Sequence, residues 1–223
     1  MKIVKLFVVV FILFLCSLLY LQAIYNCSDR INWIFKIFGE IGGNGSSYPQ
    51  GDMSVIDSGS ARPGDTWTSL LSQETFRFLS ENSSVALDIR TNRQGITNDG
   101  PYPLVLGIMN IPQHRLGEPG LEGLDYFMIR SGQGDGNILK FETSNGYSQN
   151  LRRFDSTSWH NYKFIFSRGI LKFYIDEENA GTFNLSDLGF PNKDYRIWIG
   201  SIGRKQGPIN NKVFFKNIRI NLD

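Results

Sequence analysis

The residues of this 223-residue chain that could do chemistry are few and scattered. There are two histidines, His114 in a Pro-rich loop and His160 in Trp159-His160-Asn161-Tyr162, and two cysteines, Cys16 and Cys27. No His-x-x-x-His pair, Cys cluster or Ser-nucleophile elbow occurs, so the spacing offers neither a zinc site nor a nucleophile with an adjacent base. The chemistry left is recognition. Projecting each strand-like segment by its alternation collects Asp88, Arg90, Tyr126, Arg130, Arg196 and Trp198 opposite the apolar stripe. If their strands share a sheet, that face joins aromatic planes for sugar rings to charged groups for hydroxyls. The other reading is of scattered solvent-facing residues, or of ion pairs joining Asp88 to an Arg on a neighbouring strand, since a sheet needs one wet face in any case.

Strands are the elements that must position these groups. Aromatic residues make up 13% of the chain, with seventeen Phe and nine Tyr, which favours strands and turns over helices. Val85, Leu87 and Ile89 alternate against Asp88 and Arg90; Leu104 to Met109 reads as a buried strand; Tyr126 to Arg130 leads to an Asp135-Gly136 turn, with Ile138 to Glu142 returning. The clearest unit runs from Trp159 to Asp176. Tyr162, Phe164 and Phe166 take one face, Arg168-Gly169 turns, and Leu171, Phe173 and Ile175 return on that same face. Tyr195 to Gly200 and Val213 to Leu222 supply further strands, and no internal repeat suggests a propeller or solenoid.

Hydrophobicity divides the chain into four parts. Residues 1–5 carry Lys2 and Lys5, 6–25 are nearly all apolar, 26–37 form a juxtamembrane segment that includes Trp33, and 38–223 hold the β domain. About 20 apolar residues span a bilayer as a helix. The length of the run exceeds that of a signal-peptide core, and the cleavage option after Ala23 has Leu21 at its −3 position, so an uncleaved anchor is favoured over a cleaved signal. The positive flank then stays cytoplasmic and places the β domain outside the cytoplasm. Cys16 lies within the apolar run; Cys27 is either an unpaired thiol or the link of a disulfide-bonded dimer. Asn-x-Ser tripeptides begin at Asn26, Asn44, Asn82 and Asn184, at a frequency an Asn- and Ser-rich chain reaches by chance. The stretch Gly39 to Gly64 has the composition of a linker or long loops. A net charge of +2, without a basic stripe, argues against nucleic acid as a partner.

The motif Trp159-His160-Asn161-Tyr162, the Gly169 turn and Leu171-Lys172-Phe173-Tyr174-Ile175-Asp176 resemble the "W-H-x-Y … G-x-L-x-x-Y-x-D-G" hairpin of the concanavalin A-like lectin/glucanase superfamily, which includes laminin G-like domains. Phe214-Phe215-Lys216-Asn217-Ile218-Arg219-Ile220 resembles the superfamily's closing strand. The resemblance implies an all-β, two-sheet antiparallel jelly-roll sandwich, here preceded by one N-terminal transmembrane helix. It makes Trp159 and Phe173 packing residues, and Glu177, in place of the usual Gly, suggests a longer turn.

Members of the superfamily include glycoside hydrolases, polysaccharide lyases and pure binding modules, so the site must be argued separately. The laminarinase-like Glu-x-Asp-x-x-Glu strand sets two carboxylates on one face. Glu122-Gly123-Leu124-Asp125-Tyr126-Phe127-Met128 lacks that spacing, and neither histidine has the Tyr and Arg company of a lyase. Calcium is common in the superfamily, but Asp99, Asp135 and Asp176 sit in turns, where Asp serves backbone hydrogen bonding. The sequence therefore reads as a membrane-anchored, non-catalytic surface module with no cofactor and a glycan as partner. Glycan-processing enzymes, including a 3-keto-glycoside hydrolase-like one, and protein-interaction ectodomains stay open as alternatives. Full-length protein should pellet with membranes and resist alkaline extraction; a mature N terminus near Ala23 would contradict the anchor.

Overall fold

The computed structural model describes residues 32–39, 45–59, 66–78, 80, 82–92, 104–116, 118, 120–131, 138–203 and 211–222. The apolar run 6–25, both cysteines, Asp99, the sequons at Asn26 and Asn44 and the Asp135-Gly136 turn lie outside them. Among the described residues, no helix is long and apolar enough to cross a membrane.

These residues form fourteen strands, numbered in chain order, in two antiparallel sheets of seven. Sheet A runs β1 (Trp33–Gly39), β4 (Thr66–Ser72), β13 (Arg196–Gly203), β6 (Val105–Asn110), β7 (Asp125–Ser131), β8 (Ile138–Thr143), β9 (Ser148–Arg153). Sheet B runs β12 (Glu178–Asn184), β11 (Ile170–Ile175), β10 (His160–Ser167), β5 (Ser83–Thr91), β14 (Lys212–Leu222), β3 (Met53–Asp57), β2 (Ser46–Gln50). Crossovers such as β5 to β14 and β4 to β13 make the arrangement jelly-roll-like.

Alternation explains the layer between the sheets. On β5 the residues Val85, Leu87 and Ile89 are buried while Ser84, Ala86 and Asp88 face outward, and on β10 the inward set is Tyr162, Phe164 and Phe166. Facing them from sheet A, Phe127 meets Phe164 at 5.7 Å and Phe166 at 6.2 Å between ring centroids, and Phe141 stacks on Phe183 at 3.8 Å. Large aromatics bury much apolar area each, which suits the gap of about 10 Å between stacked sheets. Gly107 lets β6 and β7 approach closely, because a Cβ there would lie 2.0 Å from the Phe127 carbonyl oxygen.

Three local expectations are corrected. The juxtamembrane segment 26–37 runs into the β domain: Trp33–Gly39 pairs with β4, and Trp33 packs edge-on against Phe215 at 5.8 Å, so the folded unit begins at Asn32 and not at residue 38. Within Gly39 to Gly64, Ser46–Gln50 and Met53–Asp57 form a hairpin closed at Gly51, whose φ is +64°. The turn after β11 is tight, since Ile175 pairs with Glu178 across Asp176 and Glu177, both in the left-handed region at φ +50° and +68°. Two such residues match strand twist in a two-residue hairpin. The Asp176 carboxylate favours the turn by accepting from the Asn161 amide at 2.9 Å.

A left-handed Glu carries a Cβ clash of about 1 kcal/mol that Gly lacks. Glu177→Gly should therefore raise the denaturation midpoint, by at most about 1 kcal/mol of stability. A lowered midpoint in chemical denaturation would show that the Glu177 side chain stabilises the turn instead.

Candidate functional site

The six residues projected onto one face divide between the two sheets. Tyr126 and Arg130 on β7 and Arg196 and Trp198 on β13 belong to sheet A, whereas Asp88 and Arg90 on β5 belong to sheet B.

On sheet A the outward face is largely covered. Trp198 is fully buried with Leu71, Val105, Met109, Ile111, Leu124 and Met128. Its ring stacks on Trp67 at 5.6 Å and meets Tyr126 edge-on at 5.6 Å, and its indole N–H donates to Ser69 Oγ at 2.8 Å. Trp198 therefore cannot serve as an open platform for a sugar ring. The cover is built from Ile111, Leu116, Leu121 and Leu124, and buried cations hold the backbone around them. Arg196 donates to the Ser72 carbonyl at 2.8 Å, to the carbonyls of Gln73 and Ile111, and to Gln113 Oε1 at 3.2 Å. Lys36 donates to the carbonyls of Leu116 and Glu118, and burial lowers its pKa against the opposing charge of Glu118. Arg130 is engaged bidentately by Glu142. A cleft of about 410 Å³ opens beside Arg196, but Arg77 pairs there with Asp194 and Lys193 with Asp125.

The outward face of sheet B differs. Register places Arg90 opposite Phe214, Phe214 opposite Val55 and Val55 opposite Tyr48, while Trp159 precedes His160, whose partner is Ile89. A row Trp159, Arg90, Phe214, Val55, Tyr48 thus crosses the sheet. The Arg90 guanidinium lies over Phe214 at 4.3 Å and over Trp159 at 5.3 Å, and Lys216 Nζ lies over Trp159 at 4.8 Å. Trp159 and Tyr48 are each 37% exposed. Trp159 is therefore not inter-sheet core. The alternation itself carries that signal, because Tyr162, Phe164 and Phe166 point inward and position 159 has the opposite parity.

A second row, Asn161, Asp88 and Lys216, runs beside the first. Asp88 forms no ion pair with Arg90: its Oδ1 accepts from Asn161 Nδ2 at 2.8 Å and its Oδ2 from Asn217 Nδ2 at 2.7 Å. Asn217 reaches it because β14 bulges between Lys216 and Arg219, with Asn217 left-handed at φ +54°. Lys212 donates to Tyr48 Oη at 3.3 Å and pairs with Asp57 at 3.1 Å, contacts that raise its pKa. Lys216 reaches Asp52 at 3.3 Å.

The loop carrying Trp159 is tied down at both ends. Thr91 donates its amide and its hydroxyl to the Ser156 carbonyl, at 2.7 and 3.0 Å. His160 bridges Asp176 Oδ2 at 2.5 Å and the Asp155 carbonyl at 2.9 Å, and its ring packs on Phe154 at 4.3 Å. His160 is thus a fastener of the hairpin, and His114 lies exposed in a short 3-10 turn, Gln113–Arg115. Among the described residues, no group of three or more His, Cys, Asp or Glu could hold a metal ion. Asp176, the calcium candidate within them, is engaged by His160 and Asn161.

No family model matches the chain, and no curated protein matches it. Solved structures do. The catalytic domain of an endo-1,3-β-glucanase (laminarinase) from Thermotoga petrophila RKU-1 superposes with a TM-score of 0.60 at 11% identity, covering 86% of this chain and 91% of that one. The carbohydrate recognition domain of Emp47p superposes at 0.55 with 17% identity, covering 83% and 88%. The fold is the concanavalin A-like jelly roll. A third concanavalin A-like neighbour comes from work on endo-acting O-glycanases with which prominent members of the human gut microbiota initiate mucin breakdown, at 0.62 with 12% identity, covering 87% and 93%. At such identities the concanavalin A-like likeness is one of architecture.

Burial alone would raise the Asp176 carboxyl, but hydrogen bonds from His160 and Asn161 and the charges of His160 and Arg152 hold it below the ordinary aspartate value. A depressed carboxyl contributes stability above its unfolded pKa of about 3.9 and loses it as pH falls through the lower folded value. The stability difference between the wild type and Asp176→Asn should therefore shrink as pH drops from about 5 towards about 2. A difference that stays constant across that range in urea melts would show that the charge plays no part.

Proposed function

We propose that this chain is a membrane-anchored, non-catalytic glycan-binding module whose β domain lies outside the cytoplasm and binds through the outward face of sheet B. The observation that carries the reading is the partly exposed Trp159 ring, flanked by Arg90 and Lys216 on a rigid three-strand platform of β10, β5 and β14. Carbohydrate recognition combines an aromatic plane with a few oriented polar groups, and this face supplies both. Placing them on paired strands keeps them oriented without an ordering cost at binding. The occurrence of the same architecture in a carbohydrate recognition domain and in glucan-degrading enzymes supports carbohydrate as the ligand class. The anchor rests on the 6–25 apolar run and its Lys2 and Lys5 flank.

Non-catalytic binding is favoured over hydrolysis by the state of the acids. Glycoside hydrolysis uses two carboxyl groups about 5–9.5 Å apart, one of them free to hold or give a proton. Glu142 on sheet A is engaged by Arg130, and Asp88 on sheet B has both oxygens occupied by amides.

A glycan array probed with the full chain in detergent should retain oligosaccharides that Trp159→Ala no longer binds. Trp198→Ala should instead lower the melting temperature, since it opens a cavity worth about 3–5 kcal/mol. No retained glycan, retention indifferent to Trp159, or release of new reducing ends from a retained oligosaccharide would each contradict the proposal.

A further inference from the structure

We infer that the ligand of this face is an acidic oligosaccharide, bearing carboxylates or sulfates, with Arg90 as its receiving group. The inference rests on the sheet B face being the glycan-binding surface and names the class of sugar it takes.

The argument is an account of donors and acceptors. Three cations around the covered face of sheet A have partners from within: Lys36 in the carbonyls of Leu116 and Glu118, Arg196 in carbonyls and Gln113, Arg130 in the carboxylate of Glu142. On sheet B, Lys212 has Asp57 and Tyr48, and Lys216 has Asp52. Arg90 differs. Its guanidinium lies over the rings of Phe214 and Trp159, no described carboxylate pairs with it, and its Nε is buried with no hydrogen-bond partner. Stacking satisfies the faces of a guanidinium and leaves its in-plane donors unused. A donor withdrawn from water and left unmatched is unfavourable until an acceptor arrives.

The carboxylates beside Arg90 on the same face are already engaged. Asp88 receives one amide on each oxygen, and Asp176 receives His160 and the Asn161 amide. A neutral sugar presents hydroxyls that both donate and accept, so its donors would meet carboxylates that already hold hydrogen bonds. A carboxylate or sulfate only accepts and fits the planar fork of Arg bidentately. Lys216, over the same Trp159 ring, is the second cation within reach, and its partner Asp52 is a 75% exposed side chain that a ligand acid can replace. The aromatic part of the row, Trp159 and Tyr48, then packs on the sugar rings between the acid groups.

The test uses the full chain in detergent with five probes: hexagalacturonate, the same hexasaccharide as its methyl ester, a heparin hexasaccharide, cellohexaose and poly-glutamate. At least one acidic hexasaccharide should bind at least about tenfold more tightly than the neutral pair and poly-glutamate. That preference should be lost in Arg90→Gln, weakened in Arg90→Lys and in Lys216→Gln, and diminished as salt rises, while the melting temperature of Lys216→Gln stays that of the wild type. Binding of galacturonate shows that carboxylates suffice, whereas binding of heparin, which carries both groups, without binding of galacturonate assigns the sulfates. Trp159-dependent binding of cellohexaose or the methyl ester as tight as that of the acids would overturn the acidic class and leave glycan binding standing. Poly-glutamate binding as tightly as a hexasaccharide would reduce the face to a charge patch and overturn the sugar. Failure of all five probes to bind would overturn the inference, and loss of array retention as well would overturn the glycan reading beneath it.

Discussion

The contact on which the rest of the structure depends is the aromatic layer centred on Phe127. Its ring meets Phe141 within sheet A, Phe164 and Phe166 across the gap, and Phe190 at the edge. Once Phe164 and Phe166 are committed inward, the period-2 alternation commits Lys163 and Ile165 outward, and register then fixes what neighbours Arg90 on β5. A one-residue slip of β10 would place Phe164 in water and Lys163 among rings. The proposed binding face is thus the reverse side of the packing face, and its geometry follows from the core.

The two sheets use their outer sides differently. Sheet A is covered twice, by sheet B within and by Ile111, Leu116, Leu121 and Leu124 without, which is why Trp198, Leu71, Val105 and Met109 are buried although they point away from the inter-sheet layer. Buried cations hold that cover by donating to backbone carbonyls, the usual solution where a segment without ladder partners must still satisfy its polar groups. Sheet B leaves its outer side part-exposed at β5 and β10, while Phe214 of β14 is buried beneath the Arg90 guanidinium. Its row of aromatic and cationic side chains is what one wet face permits.

Much of this was legible in the residues. The Tyr162 to Ile175 hairpin, its Arg168-Gly169 turn and the strand at Val85 to Arg90 follow from alternation and from turn chemistry, because both depend on neighbours in sequence. The outward parity of Trp198 was equally readable, but its burial was not, since the covering segment is contributed by residues about 80 positions away, with no periodicity of its own. The division of the six candidate residues between sheets was hidden for the same reason: alternation gives a side of a strand and says nothing of which sheet the strand joins. Trp159 is the opposite case, where a motif associated with packing outweighed the parity that placed the ring outside. The tight Asp176-Glu177 turn departs from the expected Gly because hydrogen bonds from Asn161 and His160 to Asp176 stabilise a conformation that Glu alone disfavours.

Two-dimensional amide and indole NMR of the full chain in detergent, titrated with an acidic hexasaccharide, tests the central claim most directly. The account predicts saturable shifts at the Trp159 indole N–H and at the amides of Arg90, Asn161, Phe214 and Lys216, with the Trp198 indole unmoved. Shifts gathered instead on Tyr126, Arg130 and Glu142 of sheet A, with Trp159 silent, would contradict it.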